Sequence, residues 1–193
     1  MRRPPTDIPT EGLFPGVNSA AAAQFLDRLA PASTAAGAVI FRERDAGDAL
    51  FILLSGQVSL RCDTDAGEVV ELARVEPADV FGELAVLSPA PRTATATALT
   101  AVRTLALNRD DFTAALARRE PAAEALLKAI TVRTCHRLRQ TDARIAVLQD
   151  ALRGASPLDL LSRIERVVAD VDPDEIDDSW ANRLAQYLRK AGS

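Results

Sequence analysis

The sequence predicts an α+β chain: a compact antiparallel sandwich or barrel preceded by a short helix and followed by helices. Three observations predict it. Between about residues 38 and 108, short runs of Val, Ile, Leu, Phe and Thr are punctuated by Gly, Pro and Asp breaks, the spacing of an all-β unit. From residue 109 onward the texture is helical. With 193 residues, 48% hydrophobic and 26% charged, the chain is long and apolar enough to bury one core.

Residues 1–18 hold four prolines and two glycines and read as an irregular arm. Asn18 or Ser19 can cap a short helix through Ala30, with Phe25, Leu26 and Leu29 on one face and Pro31 ending it. Val39-Ile40-Phe41 is a short strand. Leu50 to Leu54, a Ser55-Gly56 turn, and Gln57 to Cys62 read as a hairpin. A turn at Asp63 to Gly67 leads to a strand at Glu68 to Val75, which Pro77-Ala78-Asp79 ends. Arg92 to Leu99 and Val102 to Leu107 are two further strands, Thr95 and Thr97 opposing Ala94, Ala96 and Ala98 at period two. Asp110-Asp111 can cap a helix from Phe112 to Arg119. A long helix then starts at Glu120-Pro121 and runs to about Arg153, where Gly154 stops it. Along it Leu127, Thr131, Thr134, Leu138, Thr141, Ile145, Leu148 and Leu152 form a heptad seam, which favours pairing with a second copy over packing on the β-unit alone. Residues 154–193 form a short, acidic helical tail. It holds an amphipathic helix (Leu158, Leu161, Ile164, Val167, Val168), an acidic linker from Asp170 to Asp178, and a last helix with Trp180, Leu184, Tyr187 and Leu188 on one face.

Composition removes several classes of function. The net charge of −4 argues against a chain that lives on nucleic acid. Two cysteines, Cys62 and Cys135, are too few for a disulfide scaffold or a Cys-rich metal centre. A single histidine, His136, cannot supply a cupin-type metal site, and nothing pairs a nucleophile with a base, so no enzyme is expected. Cys135 and His136 read as packing and surface residues. No apolar run reaches the length of about 20 residues that a membrane helix needs, and Met1 to Pro5 has no apolar segment behind it, so the expectation is a cytoplasmic protein.

The stretch from Phe81 to Thr95 carries the chemistry. Gly82 permits a close backbone approach, and Glu83 to Leu87 can form one helical turn whose leading N–H groups suit an anion. Arg92, nine residues after Glu83, can clamp two phosphate oxygens. Glu83 beside an anion is repulsive unless it grips a neutral group attached to that anion, such as a ribose hydroxyl. The segment therefore fits a ligand with one phosphate and an adjacent sugar. The competing reading is an ordinary turn with a surface Glu–Arg ion pair.

Over roughly residues 12–150 the chain resembles the cyclic-nucleotide-binding domain family. The resemblance rests on Gly37 to Phe41, Asp45 to Leu53, Ser55 to Val58, the Phe81 to Ala85 run, and Pro91-Arg92-Thr93-Ala94-Thr95. It implies an antiparallel, jelly-roll-like β-roll of eight strands flanked by helices, spanning 19–153 together with a long dimerisation helix. By the same analogy Gly82, Leu84 and Ala85 offer backbone N–H groups to the phosphate, Arg92 pairs with a phosphate oxygen, Glu83 takes the ribose 2′-hydroxyl, and Thr93 adds a hydroxyl. The ligand implied is cAMP, with cGMP the alternative, and no other cofactor. Two features depart from the family pattern. Arg44 stands where glycine is usual and strains a turn if that position needs a positive φ. Thr93 stands where cAMP-selective kinase sites carry alanine and cGMP-selective ones threonine; because bacterial cAMP sites also use serine or threonine there, the base stays open.

The long helix resembles the dimer helix of the bacterial catabolite activator type, and matching Arg137-Leu138 to it puts Thr141 and Asp142 at the base-reading places. Bacterial members often carry a winged helix-turn-helix. The 40 residues from Gly154 are too few and too acidic for one, so DNA is not the expected partner. The expected function is a cyclic-nucleotide sensor that signals through its long helix and tail to a partner protein. The alternative is a ligand-free β-roll used for dimerisation and docking.

Overall fold

The computed structural model describes residues 12–64 and 67–169. In chain order the elements are α1 (Ser19–Leu26), β1 (Ala30–Thr34), β2 (Val39–Phe41), β3 (Ala49–Ser55), β4 (Val58–Asp63), β5 (Val69–Val75), β6 (Val80–Phe81), α2 (Leu84–Leu87), β7 (Thr95–Ala98), β8 (Val102–Asn108), α3 (Arg109–Ala117), α4 (Pro121–Leu152) and α5 (Pro157–Ala169). The eight strands form two antiparallel four-stranded sheets, ordered β1-β8-β3-β6 and β2-β7-β4-β5. This is the α+β, jelly-roll-like β-roll with flanking helices that the sequence predicts.

The alternation of side chains along β3 shows how the layers are built. Leu50 and Ile52 point to a core shared with the helices, where they meet Phe14, Phe25, Leu105, Leu107, Phe112 and Leu126. Phe51 and Leu53 point the other way, into the space between the sheets, with Val58, Leu60, Val75, Phe81, Ala96 and Ala98. A strand buried on both faces reads as the continuous apolar run Leu50 to Leu54. On β7 only one face is covered: Ala96 and Ala98 are buried while Thr95 and Thr97 are partly exposed.

Several expectations are corrected. The Leu50 to Cys62 hairpin does not form. β3 pairs with β6 and β8, β4 pairs with β5 and β7, and Ser55-Gly56 is a corner between sheets. Gly56 sits at φ 87°, and a Cβ there would come within 2.5 Å of the Ala101 carbonyl oxygen. The first helix stops at Leu26, and Pro31 lies inside β1 opposite Leu105. β1 is an edge strand, the one sheet position where a missing N–H is tolerated. Asn108, rather than the Asp110-Asp111 pair, caps α3; its side chain accepts from the Asp111 N–H at 2.8 Å. Leu13 and Phe14, in the segment read as an arm, are fully buried.

Other elements follow the sequence. Asn18 caps α1 by accepting from the Ala21 N–H at 2.9 Å. Gly154 follows α4 at φ 81°. Arg44 does take a positive φ, 67°.

The chain divides into two compact units, meeting in sequence at Thr131 and Val132. In the first, the start of α4 buries Ala122, Ala123, Ala125, Leu126, Ala129 and Ile130 in the helix-side core, so packing on its own β-unit holds for this part of the helix. In the second, Val147 of α4 packs with Leu160 and Ile164 of α5, and Asp150 pairs with Arg163. Leu138, Ile145, Leu148 and Leu152 of the seam are exposed. The acidic linker from Asp170 and the Trp180 helix lie outside the described residues. Among the described residues no helix is long and apolar enough to cross a membrane, and no His, Cys, Asp and Glu cluster could hold a metal.

Candidate ligand-binding site

β6 delivers the chain to Gly82 at φ 69°, a left-handed conformation that favours glycine. A Cβ on Gly82 would also stand 2.7 Å from Nη1 of Arg92 and 3.2 Å from the Phe41 ring. From here the backbone turns into the single-turn helix α2, whose bonds run from Val86 N–H to Glu83 O (3.1 Å) and Ser88 N–H to Leu84 O (2.9 Å). The N–H groups of Gly82 and Leu84 precede the helix's own donors. The Ala85 N–H makes a longer bond of 3.3 Å to Gly82 O.

Arg92 returns to this turn from the loop before β7 and is held by its backbone and by Nη1. Its own N–H donates to Asp45 O at 2.9 Å, and its carbonyl accepts from the Arg44 N–H at 2.8 Å. Nη1 donates to Ala49 O at 2.7 Å and to Gly82 O at 3.0 Å. The guanidinium lies 4.2 Å from the centroid of Phe41, one of three rings that stack with Phe51 and Phe81 at 5.3–6.0 Å. Nε is buried and has no hydrogen-bond partner among the described residues. Gly47 leaves room for this arrangement: a Cβ there would stand 2.8 Å from both Nε and the Ala85 side chain.

Arg92 and Glu83 are each only 7% exposed, so the reading of a surface ion pair fails. Burial pushes the Arg92 guanidinium below its usual value, against the opposing pull of Asp48, Asp45 and Glu83. Of the other predicted residues, Ala85 is buried, and Leu84 and Thr93 are exposed. Thr141 and Asp142 belong to the second unit; both are exposed, and the Thr141 hydroxyl donates to Arg137 O at 2.9 Å.

Sequence reasoning missed Arg109, the first residue of α3. Its Nε donates to Ala85 O at 2.8 Å, its Nη2 to Gly47 O at 2.9 Å and also to Ala85 O, and its backbone N–H to Asp48 O at 2.6 Å. Nothing in the run Asn108-Arg109-Asp110 signals contacts to residues 24 and 62 positions away.

The cyclic nucleotide-binding domain family model matches residues 32–119. A CRP-like cAMP-activated global transcriptional regulator of Mycobacterium tuberculosis is 35% identical over 137 residues, covering 71% of this chain and 59% of that protein. The chain thus spans about three fifths of the length of that curated relative. Among solved structures, the N-terminal domain of a transcriptional regulator from Streptomyces coelicolor is 37% identical with a TM-score of 0.56, covering 68% of this chain and 88% of that one. The Thermus thermophilus catabolite activator protein is 25% identical with a TM-score of 0.62, covering 92% and 99%. The β-roll, the Phe81 to Arg92 cassette and these likenesses agree, and the chain belongs to the cyclic nucleotide-binding domain family.

Proposed function

We propose that the chain is a regulatory sensor that binds a cyclic mononucleotide, cAMP first and cGMP as the alternative. The phosphate lies between Arg92 and the leading N–H groups of Gly82, Leu84 and Ala85, Glu83 accepts from the ribose 2′-hydroxyl, and Thr93 adds a hydroxyl at the rim. Thr141 and Asp142 on α4 are the groups proposed to read the base. The observation that carries this reading is Arg92: a buried guanidinium, stacked on Phe41, with its Nε–H unsatisfied. A monoanionic cyclic phosphate supplies an opposite charge and an acceptor together.

Occupancy passes from α2 to α3, which pack together, and on to α4, whose first turns share the helix-side core with Phe112 of α3. The exposed stripe of Leu138, Ile145, Leu148 and Leu152 supports pairing of α4 with a second copy of the chain. The output is contact with a partner protein. The M. tuberculosis relative is a cAMP-activated regulator, which supports the choice of nucleotide.

Thermal unfolding of the full chain with cAMP, cGMP, 5′-AMP or adenosine tests the reading. Ligand at 100 times its Kd stabilises by about 2.7 kcal/mol, an easily measured rise in midpoint. One cyclic nucleotide is expected to raise the midpoint, whereas 5′-AMP and adenosine leave it in place. No rise with either cyclic nucleotide, or an equal rise with 5′-AMP, overturns the reading.

A further inference from the structure

Two arginines grip the same two strips of backbone. One strip is the loop Gly47-Asp48-Ala49; the other is the cassette from Gly82 to Ala85. Arg92 holds Ala49 O and Gly82 O. Arg109 holds Gly47 O and Ala85 O with its side chain and Asp48 O with its backbone N–H. Arg92 is the group that a phosphate recruits, so it cannot by itself keep the frame fixed while it is being drawn to ligand. Arg109 is half-buried, faces carbonyl oxygens only in these bonds, and starts a helix whose Phe112 and Ala115 are anchored in the core.

We infer that Arg109 is a positioning residue of the phosphate site: by bridging Ala85 O and Gly47 O it sets the direction of the α2 amides and ties the cassette to α3. The inference rests on the reading of the cassette as a phosphate site. The physical reason is specific to arginine. One planar guanidinium presents Nε and Nη2 side by side, so it can bond two carbonyls from different segments in a fixed relation. A lysine offers a compact ammonium without that fork. Holding Ala85 O also fixes the peptide planes of the turn, and the amides at its start point where those planes dictate.

The role predicts more than weaker binding. In the proposed site Arg92 and the α2 amides, which come from different segments of the chain, take different exocyclic oxygens of the phosphate. Loosening Arg109 should therefore blunt recognition of the amide-side oxygen and spare the Arg92 side. The test uses the full chain as wild type, Arg109→Met and Arg109→Lys, titrated with cAMP (or cGMP, whichever binds) and with its two phosphorothioate diastereomers, which place sulfur at one or the other exocyclic oxygen. Urea unfolding is run alongside. For Arg109→Met the expected result is an affinity for the natural nucleotide lower by about tenfold. The affinity ratio of the two diastereomers should also move toward one. Arg109→Lys, which keeps the charge and folds if the methionine variant does not, is expected to lie between the two. Unchanged affinity, or a fall with the diastereomer ratio preserved, overturns the inference while leaving the phosphate site intact. Failure of the wild type to bind any cyclic nucleotide removes both.

Discussion

Replacing Arg92 by alanine should separate ligand binding from folding. In the bound protein the guanidinium faces a desolvated phosphate, and truncating one partner of such a pair costs about 2–5 kcal/mol because the other charge is stranded. That is a loss of roughly 30- to 4000-fold in affinity. Without ligand the balance differs. Arg92 makes two charge-assisted bonds, to Ala49 O and Gly82 O, of about 1.5–3 kcal/mol each. Against them stands the desolvation of a cation that is 7% exposed, an opposing contribution of several kcal/mol. The two nearly cancel, so stability should change by no more than about 2 kcal/mol. Competition with a fluorescent cyclic nucleotide measures the first quantity and urea unfolding the second. Arg92→Lys should fall between wild type and alanine, since it keeps the charge but loses the Nε–H and the stack on Phe41. An alanine variant that binds within threefold of wild type (a change of about 0.65 kcal/mol), or whose loss of affinity is matched by an equal loss of stability, would refute the reasoning.

Three further outcomes follow from other parts of the molecule. Arg44→Gly relieves a non-glycine residue at φ 67° and should raise stability by about 1 kcal/mol, with nucleotide affinity unchanged; a lower urea midpoint would count against it. The hydrogen bond from Arg28 holds the Glu120 carboxyl at about 2 instead of 4.5, with Arg118 adding to it and burial opposing. A folded-state value below the unfolded one means stability present above pH 4.5 and lost as pH falls toward 2, so Glu120→Gln should flatten the stability–pH slope in that window; a variant with the same slope as wild type would contradict this. Pairing of α4 with a second copy predicts a wild-type dimer in sedimentation, and Ile145→Asp with Leu148→Asp, which places two charges on the exposed seam, should leave only monomer; a monomeric wild type or an unchanged profile in the variant would rule the seam out.

The parts of the structure legible in the sequence are those written in adjacent residues. Phe81-Gly82-Glu83 and Pro91-Arg92-Thr93 announce the cassette because each needs a particular residue at a particular step: glycine for the positive φ, arginine for the buried guanidinium. The unbroken pattern from Pro121 to Gly154 gave the long helix with both ends. What local pattern could not supply is pairing. Leu50 to Leu54 is an apolar run and Val58, Leu60 and Cys62 alternate, as two strands joined by a Ser-Gly turn would, and only the tertiary fold sends them to different sheets through the Gly56 corner. Pro31 argued against a strand because nothing in the sequence marks β1 as an edge. Arg109 was invisible for the same reason: its partners, Gly47 and Ala85, lie on two separate segments. Sites built from backbone carbonyls leave no side-chain signature to read.

On the proposed reading Arg92 and the Gly82 to Ala85 turn form a cyclic-phosphate site. Titration calorimetry of the full chain with cAMP and cGMP in parallel, at two temperatures, tests it most directly. One of the two should bind with micromolar or tighter affinity, and Arg92→Ala should abolish that binding. No heat from either nucleotide up to millimolar concentration at both temperatures would contradict it.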